Sequence, residues 1–197
     1  MRSNESNEFE IESKSLSVVA PPGELQDFYN KALFYAAAAH KNQFYAGDLP
    51  YIVHVCMVAD EVFSADRIEP FSNIKDAVQI ALLHDVLEDT PITKEEMLLH
   101  FSPEVVYGVD LLTKKDGLPL SEYFKGIKDG GRDVSAIKMC DRIINLQKPP
   151  KHWNADKIFE YYEESLVILE MFGWSSDYIS SRLKMKIELY EEMFMRR

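Results

Sequence analysis

From Glu24 onward the apolar residues recur at helical spacing. Leu25, Phe28, Tyr29, Ala32, Leu33, Ala36 and Ala39 fall three and four apart, which predicts an amphipathic helix over residues 24–44. Ala46-Gly47-Asp48-Leu49-Pro50 breaks the pattern, and residues 51–63 and 73–87 read as the next two helices. Thr93-Lys94-Glu95-Glu96 is a capping box that opens a fourth. Ser102-Pro103-Glu104 opens a fifth, with proline at its favoured first position. Residues 114–119 read as a turn. Gly130-Gly131 separates helices over 121–128 and 134–146, and Pro149-Pro150 ends the second. Helices over 156–171 and 177–195 close the chain. No run of four or more residues alternates cleanly with β-branched enrichment, so no strand is expected. The pattern predicts an all-α helical bundle of about eight or nine helices. Residues 1–20, rich in Ser, Asn and Glu, read as a flexible polar tail, and residues 21–197 as a single domain.

Composition narrows the partners. The 197 residues hold 33 Asp and Glu against 22 Lys and Arg, a net charge of −11. Such a chain repels long polyanions, so duplex nucleic acid and anionic membrane surfaces are disfavoured. A small anion stays acceptable where a metal or a few basic side chains receive it. Cys56 and Cys140 are the only cysteines, which fits a reducing compartment rather than a disulfide framework. The polar N-terminus lacks the apolar core of a secretory signal, and the longest apolar stretch, residues 32–39, is far short of the roughly 20 needed to span a bilayer. The expectation is a cytoplasmic protein with a small-molecule partner; a homodimer is left open.

Candidate chemistry gathers in three segments. In ALLHDVLEDT, His84, Asp85, Glu88 and Asp89 fall at roughly 0°, 100°, 40° and 140° on a helical wheel. Three carboxylates on one arc repel each other, and a bound cation relieves the repulsion. A helix end entering solvent, with His84 packed in the core, explains the same residues. In LPYIVH, His54 sits among apolar positions, where core packing competes with ligation. In KMCDRIIN, Asp141 and Asn145 share a helix face, which also fits a solvated stripe. Taken together, His54, His84, Asp85 and Asp141 suit a borderline divalent ion such as Mn, Fe or Zn rather than Ca or Mg alone. Such an ion acidifies a bound water and polarises a phosphoryl oxygen. Glu88 and Asp89, one turn along, can then handle protons without being ligands.

The ordered set PYIVH, ALLHDVLEDT and KMCDRIINL resembles the HD-domain metal phosphohydrolases, and more narrowly the hydrolase domain of the RelA/SpoT family. His40-x-x-Gln43, Leu112-Thr113-Lys114, Trp153 and Glu160-Tyr161-Tyr162-Glu163 add to the match, which runs over residues 30–165. The resemblance implies an HD-domain bundle and removal of the 3′ pyrophosphate from (p)ppGpp. It implies one divalent metal, usually Mn, with Fe, Zn or Co as alternatives, held by His54, His84, Asp85 and Asp141. Glu88 and Asp89 match the acidic pair that positions or activates water. Asn145 matches a nucleotide-contacting asparagine, and Tyr161 a tyrosine near the phosphates. With no synthetase or regulatory segment following, the chain is similar to the stand-alone small alarmone hydrolases.

The departures concern the substrate. Tyr45 and Ala46 stand where the family has Arg-Lys; a tyrosine ring can still stack on a base, but a positive charge is gone. Val55 replaces a proline after His54, and Leu146-Gln147-Lys148 replaces Met-Arg-Thr. Lys148, Lys151 and Arg142 are candidate phosphate-binding replacements, with solvated surface charge as the plainer reading. Two alternatives follow: an HD phosphatase acting on another nucleotide, such as NADPH or a nucleoside monophosphate, or a nucleotide-binding module that has lost catalysis. His40, Met185, Met193 and Met195 read as packing residues.

Overall fold

The computed structural model describes residues 23–150 and 152–195, so the polar tail expected over residues 1–20 lies outside the described residues. Helix α1 (Leu25–Ala39) starts at a reciprocal capping box between Glu24 and Asp27 and stops at His40, whose N–H bonds the carbonyl of Ala36. It is followed by a two-residue antiparallel pair, β1 (Phe44–Tyr45) and β2 (Leu49–Pro50). The connection places Ala46 at φ 53° and Gly47 at φ 107°, the left-handed conformation that reverses the chain tightly. This pair corrects the expectation of no strand and shortens the first helix. Strands of two residues are too brief to leave an alternation in the sequence.

Helix α2 (Ile52–Asp66) leads to α3 (Ile74–Leu83), which begins at Asn73, whose side chain accepts from the amides of Lys75 and Asp76. Residues 77–83 of α3 are all buried, because the helix runs through the middle of the bundle and packs against α1, α2, α6 and α8. The helix expected over 73–87 is in fact interrupted. It halts at His84–Asp85 and resumes as the single turn α4 (Val86–Asp89). Helices α5 (Lys94–Leu98) and α6 (Pro103–Leu112) follow, with the Thr93–Glu96 capping box and the Ser102 cap formed as expected.

Helices α7 (Leu120–Asp129), α8 (Arg132–Asn145), α9 (Ala155–Phe172) and α10 (Asp177–Phe194) complete the bundle, with a short 3-10 turn (Gly173–Ser175) between the last two. Helix α8 is buried over residues 139–144 and packs against α2, α3, α9 and α10. Arg182 of α10 forms a forked ion pair with Glu61 of α2, its Nε 2.7 Å from Oε2. Met185 and Met193 face solvent, which corrects their reading as packing residues. One continuous apolar core joins the helices. Among the described residues no helix is long and apolar enough to cross a membrane. The consequence for chemistry is positional: the first turn of α2, the interruption after α3 and the C-terminal part of α8 meet at one point.

Candidate metal centre and active site

His54 projects from the first turn of α2, His84 and Asp85 from the break after α3, and Asp141 from the last turn but one of α8. Their donor atoms converge. His54 Nε2 and His84 Nε2 are 3.4 Å apart. Asp141 Oδ1 is 3.3 Å from His54 Nε2 and 3.6 Å from His84 Nε2. Asp85 Oδ2 is 2.9 Å from His84 Nε2 and 3.6 Å from His54 Nε2. A divalent ion with bonds of about 2.0–2.2 Å has ligand-to-ligand edges of about 3.0–3.5 Å, the spacing seen among these atoms. Both histidines are buried, and His54, His84 and Asp141 offer donor atoms that all lie within 4.8 Å of one another. The donor set and its spacing fit a divalent metal ion.

Surrounding groups aim those donors. His84 Nδ1–H donates to the carbonyl of Ala81 at 2.8 Å, which turns Nε2 toward the cluster. Asp141 Oδ2 is held by Lys138 Nζ at 3.1 Å, and Oδ1 accepts from Asn145 Nδ2 at 2.6 Å. The Tyr51 hydroxyl donates to Asp85 Oδ2 at 2.5 Å. Burial pushes the Asp85 carboxyl upward, but the adjoining His84 and His54 outweigh it and bring it down to about 2. Burial acts the same way on Asp141, where Lys138 and the two imidazoles hold the carboxyl well below its ordinary range. The carboxylates are thus ionised, as ligation requires.

Glu88 and Asp89 occupy α4 beside the cluster. Burial raises the Glu88 carboxyl above the ordinary range, partly offset by the amide of Lys114, which donates to Oε2 at 2.7 Å. Burial also raises Asp89, and the negative charge of Asp85 adds to it. Two carboxyls displaced toward neutrality thus stand next to two held ionised.

Two cavities flank the cluster and share Tyr51, Asn145 and Tyr161. The larger, about 480 Å³, has an aromatic and proline-rich wall that includes Tyr45, Trp153 and Tyr161, with Lys148 at its margin. The smaller, about 210 Å³, is polar and lined by Glu88, Lys114, Lys138 and Arg142 as well as Asp85 and Asp141. Tyr45, Asn145, Lys148 and Tyr161 all line the larger cavity. The Tyr45 ring also packs on His54, centroids 5.0 Å apart, while its hydroxyl donates to the carbonyl of Ile144 at 3.1 Å.

Arg142 differs from its reading as solvated surface charge. It is buried, its guanidinium lies 3.9 Å from the centre of the Tyr161 ring, and it pairs with Glu164 and donates to Ser165 Oγ at 3.2 Å. Its charge is paired with Glu164 inside the protein, at the lining of the polar cavity. Lys151 lies outside the described residues. Lys138 and Tyr51 escaped the sequence reading, although spacing held the signal: each lies three residues before a proposed ligand, Asp141 and His54, on the same helical face.

No family model matches the chain. The guanosine-3′,5′-bis(diphosphate) 3′-pyrophosphohydrolase MESH1 of Danio rerio is 27% identical over 160 residues, covering 76% of this chain and 87% of that protein. The guanosine-3′,5′-bis(diphosphate) 3′-pyrophosphohydrolase of Haemophilus influenzae is 34% identical over 122 residues, 57% of this chain. The GTP pyrophosphokinase of Myxococcus xanthus is 35% identical over 155 residues, 72% of this chain. The chain spans 17% and 20% of the length of those two bacterial proteins. Among solved structures, one described as a metazoan ortholog of SpoT that hydrolyses ppGpp superposes with a TM-score of 0.70 at 22% identity, over 88% of this chain and 97% of that one. In sequence the chain is similar to guanosine-3′,5′-bis(diphosphate) 3′-pyrophosphohydrolases, and in fold to a metazoan ortholog of SpoT.

Proposed function

We propose that residues 21–197 act as one metal-dependent HD phosphohydrolase, cytoplasmic, which removes pyrophosphate from the 3′ position of (p)ppGpp. The convergence of the two imidazole nitrogens with the carboxylates of Asp85 and Asp141 at 2.9–3.6 Å, beside a polar cavity that both carboxylates line, is the observation that carries this reading. His54, His84, Asp85 and Asp141 would hold the ion, with Mn²⁺ the ion named by the resemblance and Fe, Zn or Co the alternatives. When bound, a divalent ion supplies Lewis acidity to a phosphoryl oxygen and lowers the pKa of water. The protein's own groups supply the rest. Glu88, with a raised carboxyl, takes a proton from the attacking water, and Asp89 orients that water beside it. Asn145 keeps Asp141 turned toward the imidazoles while facing the nucleotide cavity. Tyr45, Trp153 and Tyr161 offer rings to a base, and Lys148, which lines the same cavity, offers a cation to a phosphate.

A second reading has one observation in its favour. The cavity wall at Tyr45 and Ala46 carries no cation, so a nucleotide whose remaining phosphates are bridging diesters, such as NADPH, is accommodated with less uncompensated charge than one with a terminal diphosphate. The test is release of phosphate and pyrophosphate by the Mn²⁺-loaded protein from ppGpp, pppGpp, NADPH and nucleoside 5′-monophosphates, with Asp85→Ala as the blank. Pyrophosphate released from ppGpp is the expected result. Turnover of NADPH alone moves the assignment to the second reading, and metal binding without turnover of any member overturns the hydrolase assignment.

A further inference from the structure

Three side chains outside the ligand set join the metal cluster to the turn that walls the larger cavity. The Tyr51 hydroxyl donates to Asp85 Oδ2 at 2.5 Å. Its ring lies between two imidazoles, 4.7 Å from the centre of His40 and 5.4 Å from that of His54. His40 is buried, and its Nδ1–H donates to Gln43 Oε1 at 2.7 Å. With Oε1 so engaged, the amide nitrogen of Gln43 faces the other way and donates to the backbone carbonyl of Asp89 at 2.6 Å. The Gln43 carbonyl in turn accepts the Tyr51 amide at 3.0 Å.

The need for such a link follows from the interruption at His84–Asp85. A helical turn of four residues, as in α4, does not hold itself in water. Asp85 and Asp89 therefore depend on bonds from outside their own helix to keep their orientation. We infer that Tyr51, His40 and Gln43 are positioning residues: Tyr51 holds Asp85 in the orientation of a ligand, and the His40–Gln43 pair clamps the end of α4 so that Asp89 stands beside it. This rests on the reading of the cluster as a metal site and adds how an interrupted helix presents its carboxylates. It also assigns His40 a task beyond packing.

The experiment is Mn²⁺ titration against a competing chelator for wild type, Tyr51→Phe and Gln43→Met, with the metal-free melting temperature recorded for each. Tyr51→Phe keeps both ring contacts and loses only the hydroxyl. The expected result is Mn²⁺ affinity about tenfold weaker, as for other groups that orient metal ligands, with the metal-free melting temperature unchanged. Gln43→Met is expected to bind Mn²⁺ as wild type does and to exchange the backbone amides of residues 86–90 faster. Wild-type affinity in Tyr51→Phe overturns the inference, as does a weakened affinity that comes with a lowered metal-free melting temperature, since the hydroxyl is then a general stabiliser. Unchanged exchange in Gln43→Met removes the clamp. A wild type that takes up no Mn²⁺ overturns the metal reading and this inference together. Mn²⁺ binding without ppGpp hydrolysis overturns the substrate alone.

Discussion

Glu88 and Asp141 carry the same functional group shifted in opposite directions, and their surroundings decide which. Asp141 is ringed by Lys138, Asn145 and two imidazoles and stays ionised. Glu88 is sunk beside Asp85 with a backbone amide as its main support, and its carboxyl titrates above the ordinary range. Because that pKa is raised, the ionised form that accepts a proton is present above it and is lost as pH falls through it. The rate is therefore expected to decline on the acid side at a higher pH than a solvent-exposed glutamate gives. Glu88→Gln is expected to retain metal and to lose about 10²-fold or more in turnover. A pH–rate profile and a metal titration read both, and a wild-type rate removes Glu88 from the mechanism. Asp85→Ala and Asp141→Ala are expected to abolish stoichiometric metal uptake by elemental analysis; full occupancy in both sinks the centre. At this scale the residue types were legible and the partners were not. Arg142 looked like a surface cation, yet it lies under Tyr161, because α9 covers it from a distant part of the chain.

Among the elements, α3 matters most, since His84 caps it and Asp85 follows. Its position depends on close contact with α6. A Cβ on Gly108 of α6 would stand 2.4 Å from Ile80 Cδ1 and 2.9 Å from Ile80 Cγ1, both on a buried side chain of α3. Gly108→Ala is expected to destabilise the protein by about 1–3 kcal/mol through overpacking. Ile80→Val, which removes Cδ1, is expected to recover part of that loss when combined with it. Chemical denaturation of both single variants and the double variant checks this. Strictly additive losses would mean that the two helices are not in tight contact there. Helix starts with a side-chain cap were legible at Thr93 and Ser102, because a cap is a contact within four residues. The interruption at His84–Asp85 was not, since residues 73–87 keep helical spacing straight through it.

For the whole molecule, the proposed metal site would tie together three stretches of chain: the start of α2, the end of α3 and the C-terminal part of α8. An ion that binds the folded form alone stabilises it by mass action, about 2.7 kcal/mol at a hundredfold excess over the dissociation constant. Mn²⁺ is expected to raise the melting temperature of the wild type, a chelator to reverse the rise, and Asp85→Ala to show neither; an equal shift in that variant would place the ion elsewhere. The residues of the cluster and the helices that carry them could be read from the chain alone, because helical periodicity, caps and chain breaks are short-range properties and the motif order is a property of the string. How those helices close was decided by tertiary structure. The three segments are separated by dozens of residues, and only the packing of α2, α3 and α8 into one core turns His54, His84, Asp85 and Asp141 toward a common point. The same long-range packing buries Arg142, pairs β1 with β2 and brings Tyr51 onto Asp85, contacts for which a one-dimensional pattern holds no term.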